Sequence, residues 1–278
     1  MRLCWIALLL LLPGLPVRAA TLQEQPPWHA VFERAQVRGT LLVYDEHADR
    51  WLAHDAERAR RRYLPASTFK LFNALVALDT GAVRDESEVI RWDGTVRSIG
   101  GQPVANWNRD QNLASALRYS AVWFYQELAR RAGAARMQQW LDRAGYGNRD
   151  IGGGIDHFWL SGDLRISAQE QIEFLRRLAD GTLPFSARAQ ETVRRISITE
   201  AQPAYVLHAK TGWGGGAAQN GSPGHAATDL GWYVGWLEAR GQRWFFALNI
   251  DMPDAGDTAK REAIVRQALQ QLGALPAA

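Results

Sequence analysis

The chain has 278 residues, of which 47% are hydrophobic, 22% charged and 10% aromatic, and its formal net charge is +3. That balance describes a globular protein with a sizeable core and excludes a disordered, collagenous or coiled-coil chain. The basic residues form no block except Arg60-Arg61-Arg62, which reads as a solvated loop, so no nucleic-acid partner is expected.

The first nineteen residues read as a signal peptide. Arg2 supplies a short positive start, residues 5–12 an apolar stretch too short to span a bilayer, and Val17-Arg18-Ala19 a cleavage site. Cleavage after Ala19 would leave 30 basic residues against 29 acidic ones and would remove Cys4, the single cysteine. Residues 20–278 are then expected to form one domain, exported, with no disulfide and no stable membrane insertion. The six histidines are scattered and include no His-Glu-x-x-His, so no metal site is expected.

After a polar lead-in at 21–27, residues 31–35 read as a short helix. Residues 39–44 and 50–54 read as a hairpin of strands. Pro65-Ala66-Ser67 opens an apolar helix over 68–78, stopped by Gly81. Residues 79–112 read mostly as loop. Helices follow at 113–119, 121–132 and 135–144, and Ser167-Ala168-Gln169-Glu170 is a capping box opening a helix that ends near Gly181. Residues 204–210, 230–237 and 244–250 are rich in aromatic and β-branched types and read as strands, with a turn at Arg240-Gly241. Asp257 or Thr258 caps a final helix over 261–272. The expected fold class is α+β. An antiparallel sheet is assembled from both chain ends, with flanking helices and a mostly helical insertion at about 80–195.

Only Lys70, Lys210 and Lys260 are lysine; the other 29 basic residues are arginine. A buried lysine amine can lose its proton, which arginine cannot. Ser67-Thr68-Phe69-Lys70 sets a hydroxyl and an amine one helical turn apart on one face. At a helix start the serine meets unsatisfied backbone N–H groups, which also hold an oxyanion. Phe69, Leu71, Phe72 and Leu75 would desolvate the amine, and a neutral amine beside a hydroxyl is a base beside its nucleophile. A capping serine and a snorkelling lysine are the plain structural alternative.

Lys210-Thr211-Gly212 ends a strand before a glycine-rich stretch. A lysine, a hydroxyl and a close-approach glycine on an edge strand would bind an anionic substrate and pair with its amide; an ordinary strand end is the alternative. The glycine run leads into no helix, so nucleotide-loop readings fail. Ser120-Ala121-Val122, between two helices, and Tyr146-Gly147-Asn148, in a turn, are weak signals singly.

Taken in order, Ser-x-x-Lys, Ser-x-Val, Tyr-Gly-Asn and Lys-Thr-Gly resemble the serine β-lactamase and penicillin-binding superfamily. Pro65-Ala-Ser-Thr-Phe-Lys70, Tyr146-Gly-Asn148, Phe158-Trp159-Leu160 and Leu230-Gly-Trp-Tyr-Val-Gly-Trp236 look specifically like a class D, oxacillinase-type β-lactamase. The likeness runs from about residue 39 to residue 272. It implies a periplasmic serine hydrolase that opens the β-lactam ring of penicillins, oxacillin-type included, and confers resistance.

The resemblance also implies roles. Ser67 would be acylated, and Lys70 would carry a carbamate formed from carbon dioxide or bicarbonate and act as general base. Trp159 would hold that carbamate through its indole N–H. Ser120 and Lys210 would relay a proton to the leaving nitrogen, and Val122 would form an apolar wall over Lys70. The backbone N–H groups of Ser67 and Trp213 would form the oxyanion hole. Thr211 and Arg261 would grip the substrate carboxylate, with Gly212 and Leu160 also against the substrate. No further cofactor and no metal are implied. The partners would be small-molecule β-lactams, and the protein a monomer or weak homodimer.

Two departures stand out. Trp232-Tyr233 replaces the family's usual pair of tryptophans, and residues 213–229 form a long glycine-rich loop beside the site. The loop leaves carbapenems and extended cephalosporins open as substrates. A β-lactam sensor domain or a peptidoglycan D,D-peptidase would share Ser67, Lys70 and Lys210 and hold a stable acyl adduct.

Overall fold

The structure, a computed structural model, describes residues 21–99, 101–214 and 229–276. The expected leader at 1–19 and most of the 213–229 loop lie outside the described residues. The N-terminal part holds β1 (Leu22–Glu24), α1 (Pro26–Ala35), β2 (Gly39–Asp45), β3 (Arg50–His54), α2 (Ala56–Arg60) and β4 (Arg62–Tyr63). A 3-10 turn, Ala66–Phe69, leads into α3 (Lys70–Thr80). The middle holds the ribbon β5 (Ser98–Ile99) and β6 (Gln102–Pro103), then α4 (Leu113–Arg118), α5 (Val122–Ala132) and α6 (Ala134–Ala144). β7 (Ile166–Ser167), α7 (Ala168–Ala179) and α8 (Ala187–Ile196) complete it. The C-terminal part is β8 (Ile198–Gln202), β9 (Tyr205–Gly214), β10 (Asp229–Ala239) and β11 (Gln242–Met252), a 3-10 turn at Ala255–Asp257, and α9 (Thr258–Gln271).

One seven-stranded sheet runs β1-β3-β2-β11-β10-β9-β8, so strands from both chain ends meet at the β2–β11 pair, as the α+β reading expected. Period-two alternation sorts the side chains onto its two faces. Leu42, Tyr44, Trp232, Val234, Trp236, Phe245 and Ala247 join one apolar cluster, which also contains the buried apolar residues of α3, α5 and α7. Leu41, Val43, Tyr233, Leu237, Phe246, Leu248 and Ile250 join the other, with α1 and α9. The central strands are therefore covered on both sides, which is why β10 and β11 read as nearly continuous apolar runs.

Several expectations shift. The lead-in contains β1, which pairs parallel to β3, a departure from an all-antiparallel sheet. The helix expected at 31–35 starts at Pro26, because the first helical positions tolerate residues lacking an N–H. Ser67 sits in the 3-10 turn before the helix, since Pro65 O accepts from both the Thr68 N–H and the Thr68 hydroxyl and tightens that turn. Both α8 and β8 lie outside the expected elements, although Ser186 caps α8 by accepting from the Ala189 N–H. β9 continues to Gly214 because its ladder with β10 runs to Leu230↔Gly214; Lys210-Thr211-Gly212 is thus inside the strand, not at its end. β8 pairs with β9 only as far as His208, which leaves the outer edge of β9 open from Lys210 onward.

Candidate active site

The site forms where the 3-10 turn, the α4–α5 junction and β9 converge. Ser67 and Lys70 come from the turn and the first residue of α3, and Lys70 Nζ lies 2.5 Å from Ser67 Oγ. Gly212 permits the close approach of β9 to this turn. A Cβ there would stand 3.1 Å from Pro65 O and from Thr68 Cγ2, and 3.0 Å from Trp232 Cβ. Ser120 reaches the same point from a left-handed backbone conformation, φ 56°. Such a φ is strained in a non-glycine residue; backbone bonds from Ser120 N to Leu117 O and from Ala121 N to Ala116 O hold it. Lys210 Nζ then donates to Ser120 Oγ at 3.0 Å and to Thr211 O at 2.9 Å.

Burial sets the electrostatics. Lys70 is completely buried, so desolvation drives its pKa well below the ordinary lysine value, and the Lys210 charge lowers it further. Lys210 is pushed down to about 7, first by burial and then by Arg261. Arg261 itself falls to about 10 through burial. Two amines of reduced basicity thus flank two serine hydroxyls, a pairing suited to nucleophilic and acid–base chemistry.

Ser67, Ser120, Val122, Leu160, Thr211, Gly212, Trp213 and Arg261 line one cavity of about 860 Å³. Lys70, Trp159 and Lys210 are buried behind its wall. The Ser-x-x-Lys, Ser-x-Val and Lys-Thr-Gly elements are thus brought together at this cavity through Lys70 Nζ to Ser67 Oγ and Lys210 Nζ to Ser120 Oγ. Arg261, on α9, donates to Gly212 O at 2.6 Å and to Thr258 O at 2.9 Å.

Trp159 is fully buried and stacks on Phe69 at 5.2 Å between ring centroids, and its Nε1 has no acceptor among the described residues. Tyr146-Gly147-Asn148 does not reach the cavity. Tyr146 packs on Phe69 and Phe72, while the Asn148 side chain donates to Asp163 O and accepts from the Arg165 N–H. These bonds close the loop that carries Phe158, Trp159 and Leu160, so the motif supports the segment that packs Trp159 on Phe69.

Ser98, Ile99, Val104, Trp107, Tyr119 and Asp229 also line the cavity and were not singled out from the sequence. The ribbon residues lie in what reads as loop, with no spacing to mark them. Trp107 is fixed by donation from Nε1 to Tyr119 O, a contact that only the folded chain creates.

The model of the penicillin binding protein transpeptidase domain family matches residues 39–270. The chain is 42% identical over 263 residues to β-lactamase OXA-48 of Klebsiella pneumoniae, covering 95% of this chain and 94% of that protein. It is 44% identical to β-lactamase OXA-2 of Salmonella typhimurium, covering 91% and 86%. The chain belongs to the class D β-lactamases. Two solved structures of that class are similar. The Nostoc enzyme YbXI has a TM-score of 0.81 at 41% identity, covering 89% of this chain and 99% of that one. FUS-1 (OXA-85) of Fusobacterium nucleatum subsp. polymorphum has a TM-score of 0.83 at 37% identity, covering 91% and 100%. As a class D serine β-lactamase, the protein is a hydrolase of β-lactams. No helix among the described residues is long and apolar enough to cross a membrane.

Proposed function

We propose that this enzyme opens the ring of penicillins, oxacillin-type included, through an acyl-enzyme on Ser67, with Lys70 carrying a carbamate. One observation carries the reading: among the described residues the buried Trp159 Nε1 has no acceptor while its ring packs on Phe69, the neighbour of the buried Lys70. An orphaned buried donor costs about 1–3 kcal/mol, and a carbamate oxygen on Lys70 would satisfy it. The neutral Lys70 amine forms the N–C bond with carbon dioxide and loses one proton. The modification supplies an anionic oxygen that accepts the Ser67 proton and later activates the deacylating water.

The other groups act directly. Lys210, with a pKa of about 7, passes a proton through Ser120 to the leaving nitrogen. The backbone N–H groups of Ser67 and Trp213 hold the developing oxyanion. Thr211 and Arg261 bind the substrate carboxylate, and Val122 and Leu160 form the apolar wall. The leader at 1–19 exports the chain, residues 20–278 act as one catalytic domain in the periplasm, and the host gains resistance.

The test is release of hydrolysed penicillin by the purified protein, followed by mass spectrometry of the acylated peptide. Turnover through Ser67 supports the reading. A stable Ser67 adduct without release would instead favour the sensor or D,D-peptidase alternatives.

A further inference from the structure

Trp159 Nε1 is not the only buried polar atom near Lys70 that lacks a partner. Ser67, Lys70 and Asn73 recur at three-residue spacing along the 3-10 turn and α3, and Val122 and Tyr125 do so on α5, which packs against α3. The Asn73 side-chain N–H donates to Tyr125 O at 3.0 Å, and the Tyr125 ring centroid lies 5.7 Å from Lys70 Nζ. Lys70, Asn73 and Tyr125 are all completely buried. Among the described residues, Asn73 Oδ1 and the Tyr125 hydroxyl have no hydrogen-bond partner. Burial raises the Tyr125 pKa well above its ordinary value, so the phenol keeps its proton and remains a donor.

Three buried groups without partners around one side chain are costly unless something beyond the bare amine satisfies them. A lysine carbamate matches them group by group. Its two oxygens accept hydrogen bonds, and its nitrogen keeps one N–H to donate. The protein offers two unmatched donors, Trp159 Nε1 and the Tyr125 hydroxyl, and one unmatched acceptor, Asn73 Oδ1. A neutral amine has one lone pair and cannot satisfy two donors.

We infer that Tyr125 and Asn73 are positioning residues for the general base: the Tyr125 hydroxyl is the second donor to the Lys70 carbamate, beside Trp159, and Asn73 Oδ1 accepts its N–H. The inference rests on the carbamate reading above and extends it to two residues outside the substrate cavity. Neither touches the substrate. Both act by raising the affinity of Lys70 for carbon dioxide.

Tyr125→Phe removes the hydroxyl and keeps the ring. Asn73→Ala removes the acceptor together with the bond to Tyr125 O. Carbon-13 NMR with labelled bicarbonate gives the concentration that half-saturates Lys70. Thermal melts are run with carbon dioxide removed and again at one fixed bicarbonate concentration. Half-saturation is expected to rise about tenfold in Tyr125→Phe, the effect of losing one hydrogen bond to a charged group. Without carbon dioxide, Tyr125→Phe should melt at or above the wild type, because it no longer buries an unmatched hydroxyl. Bicarbonate should then raise the wild-type midpoint more than that of the variant, since a ligand stabilises the fold more the tighter it binds.

An unchanged half-saturation in Tyr125→Phe, or a midpoint difference that bicarbonate does not alter, overturns the role of Tyr125. An unchanged half-saturation in Asn73→Ala overturns that of Asn73; if this variant fails to fold, Asn73→Leu, close to asparagine in size, decides. The wild-type spectrum is recorded first. Active enzyme without a carbamate signal removes the base reading itself, whereas a signal that Tyr125→Phe leaves at wild-type affinity removes this inference alone.

Discussion

Lys210 donates to Ser120 Oγ at 3.0 Å, joining a β-strand to a strained residue between two helices ninety positions earlier in the chain. The contact unites the sheet and the helical layer at the cavity. It also buries a second amine near Lys70, whose charge lowers the basicity of Lys70 beyond what burial does. Lys210, pushed down to about 7, is thereby prepared to give or take a proton near neutral pH, and burial drives Lys70 toward its neutral form, at a cost to the fold.

Replacing Ser67 with alanine removes the hydroxyl 2.5 Å from Lys70 Nζ. Turnover is expected to drop by at least ~10⁴-fold, with the thermal midpoint within a few degrees of the wild type. Labelled penicillin should no longer attach. Attachment at another residue, located by peptide mass mapping, would transfer the nucleophile role elsewhere.

Trp159→Phe removes the buried N–H while keeping an aromatic ring against Phe69. One hydrogen bond to a charged group is worth about 1.5–3 kcal/mol, so Lys70 should shift toward the bare amine by about 10- to 150-fold. Acylation should slow, the acyl-enzyme should accumulate, and bicarbonate should restore part of the rate. Wild-type activity should fall at acidic pH, because protonation of the amine removes the form that holds carbon dioxide. Carbon-13 NMR with labelled bicarbonate reads the carbamate directly, and a silent spectrum from active enzyme would remove Lys70 from the role of base.

Lys210→Met tests the cost of the buried amine. Lys210 releases its proton at about 7 in the fold against 10.5 normally, so unfolding takes up a proton between those values. Wild-type stability should therefore rise as pH increases from about 7 toward 10.5, and the variant should lack most of that slope. At pH 7 the variant should be more stable by about 2–4 kcal/mol and nearly inactive. Urea melts at pH 7 and 9 check it; a less stable variant would mean that the bond to Ser120 outweighs desolvation.

Arg261 lines the cavity while its guanidinium bonds Gly212 O and Thr258 O. Arg261→Lys keeps a positive charge but loses the planar fork. KM for penicillins is expected to rise about tenfold with a smaller change in kcat. Equal loss in kcat alone would point to a role in the chemical step instead of carboxylate binding.

The chemistry was legible in the sequence wherever one side chain's identity carries it. Ser67 and Lys70 are three positions apart, so a helical turn alone brings them together, and Lys210-Thr211-Gly212 sits on a strand whose apolar neighbours mark it. The two-ended sheet was legible for the same reason, because its central strands are apolar on both faces. The cavity was not. Its ribbon wall, the placement of Trp107 by Tyr119 O and the Trp213–Asp229 bond join segments that are remote in the chain or too short to show a period. The end of β9 was set by its partner: a strand continues as far as its neighbour supplies backbone groups, and β10 does so up to Gly214. Local pattern therefore determined which groups react, and packing of distant segments decided where they meet and what surrounds the substrate.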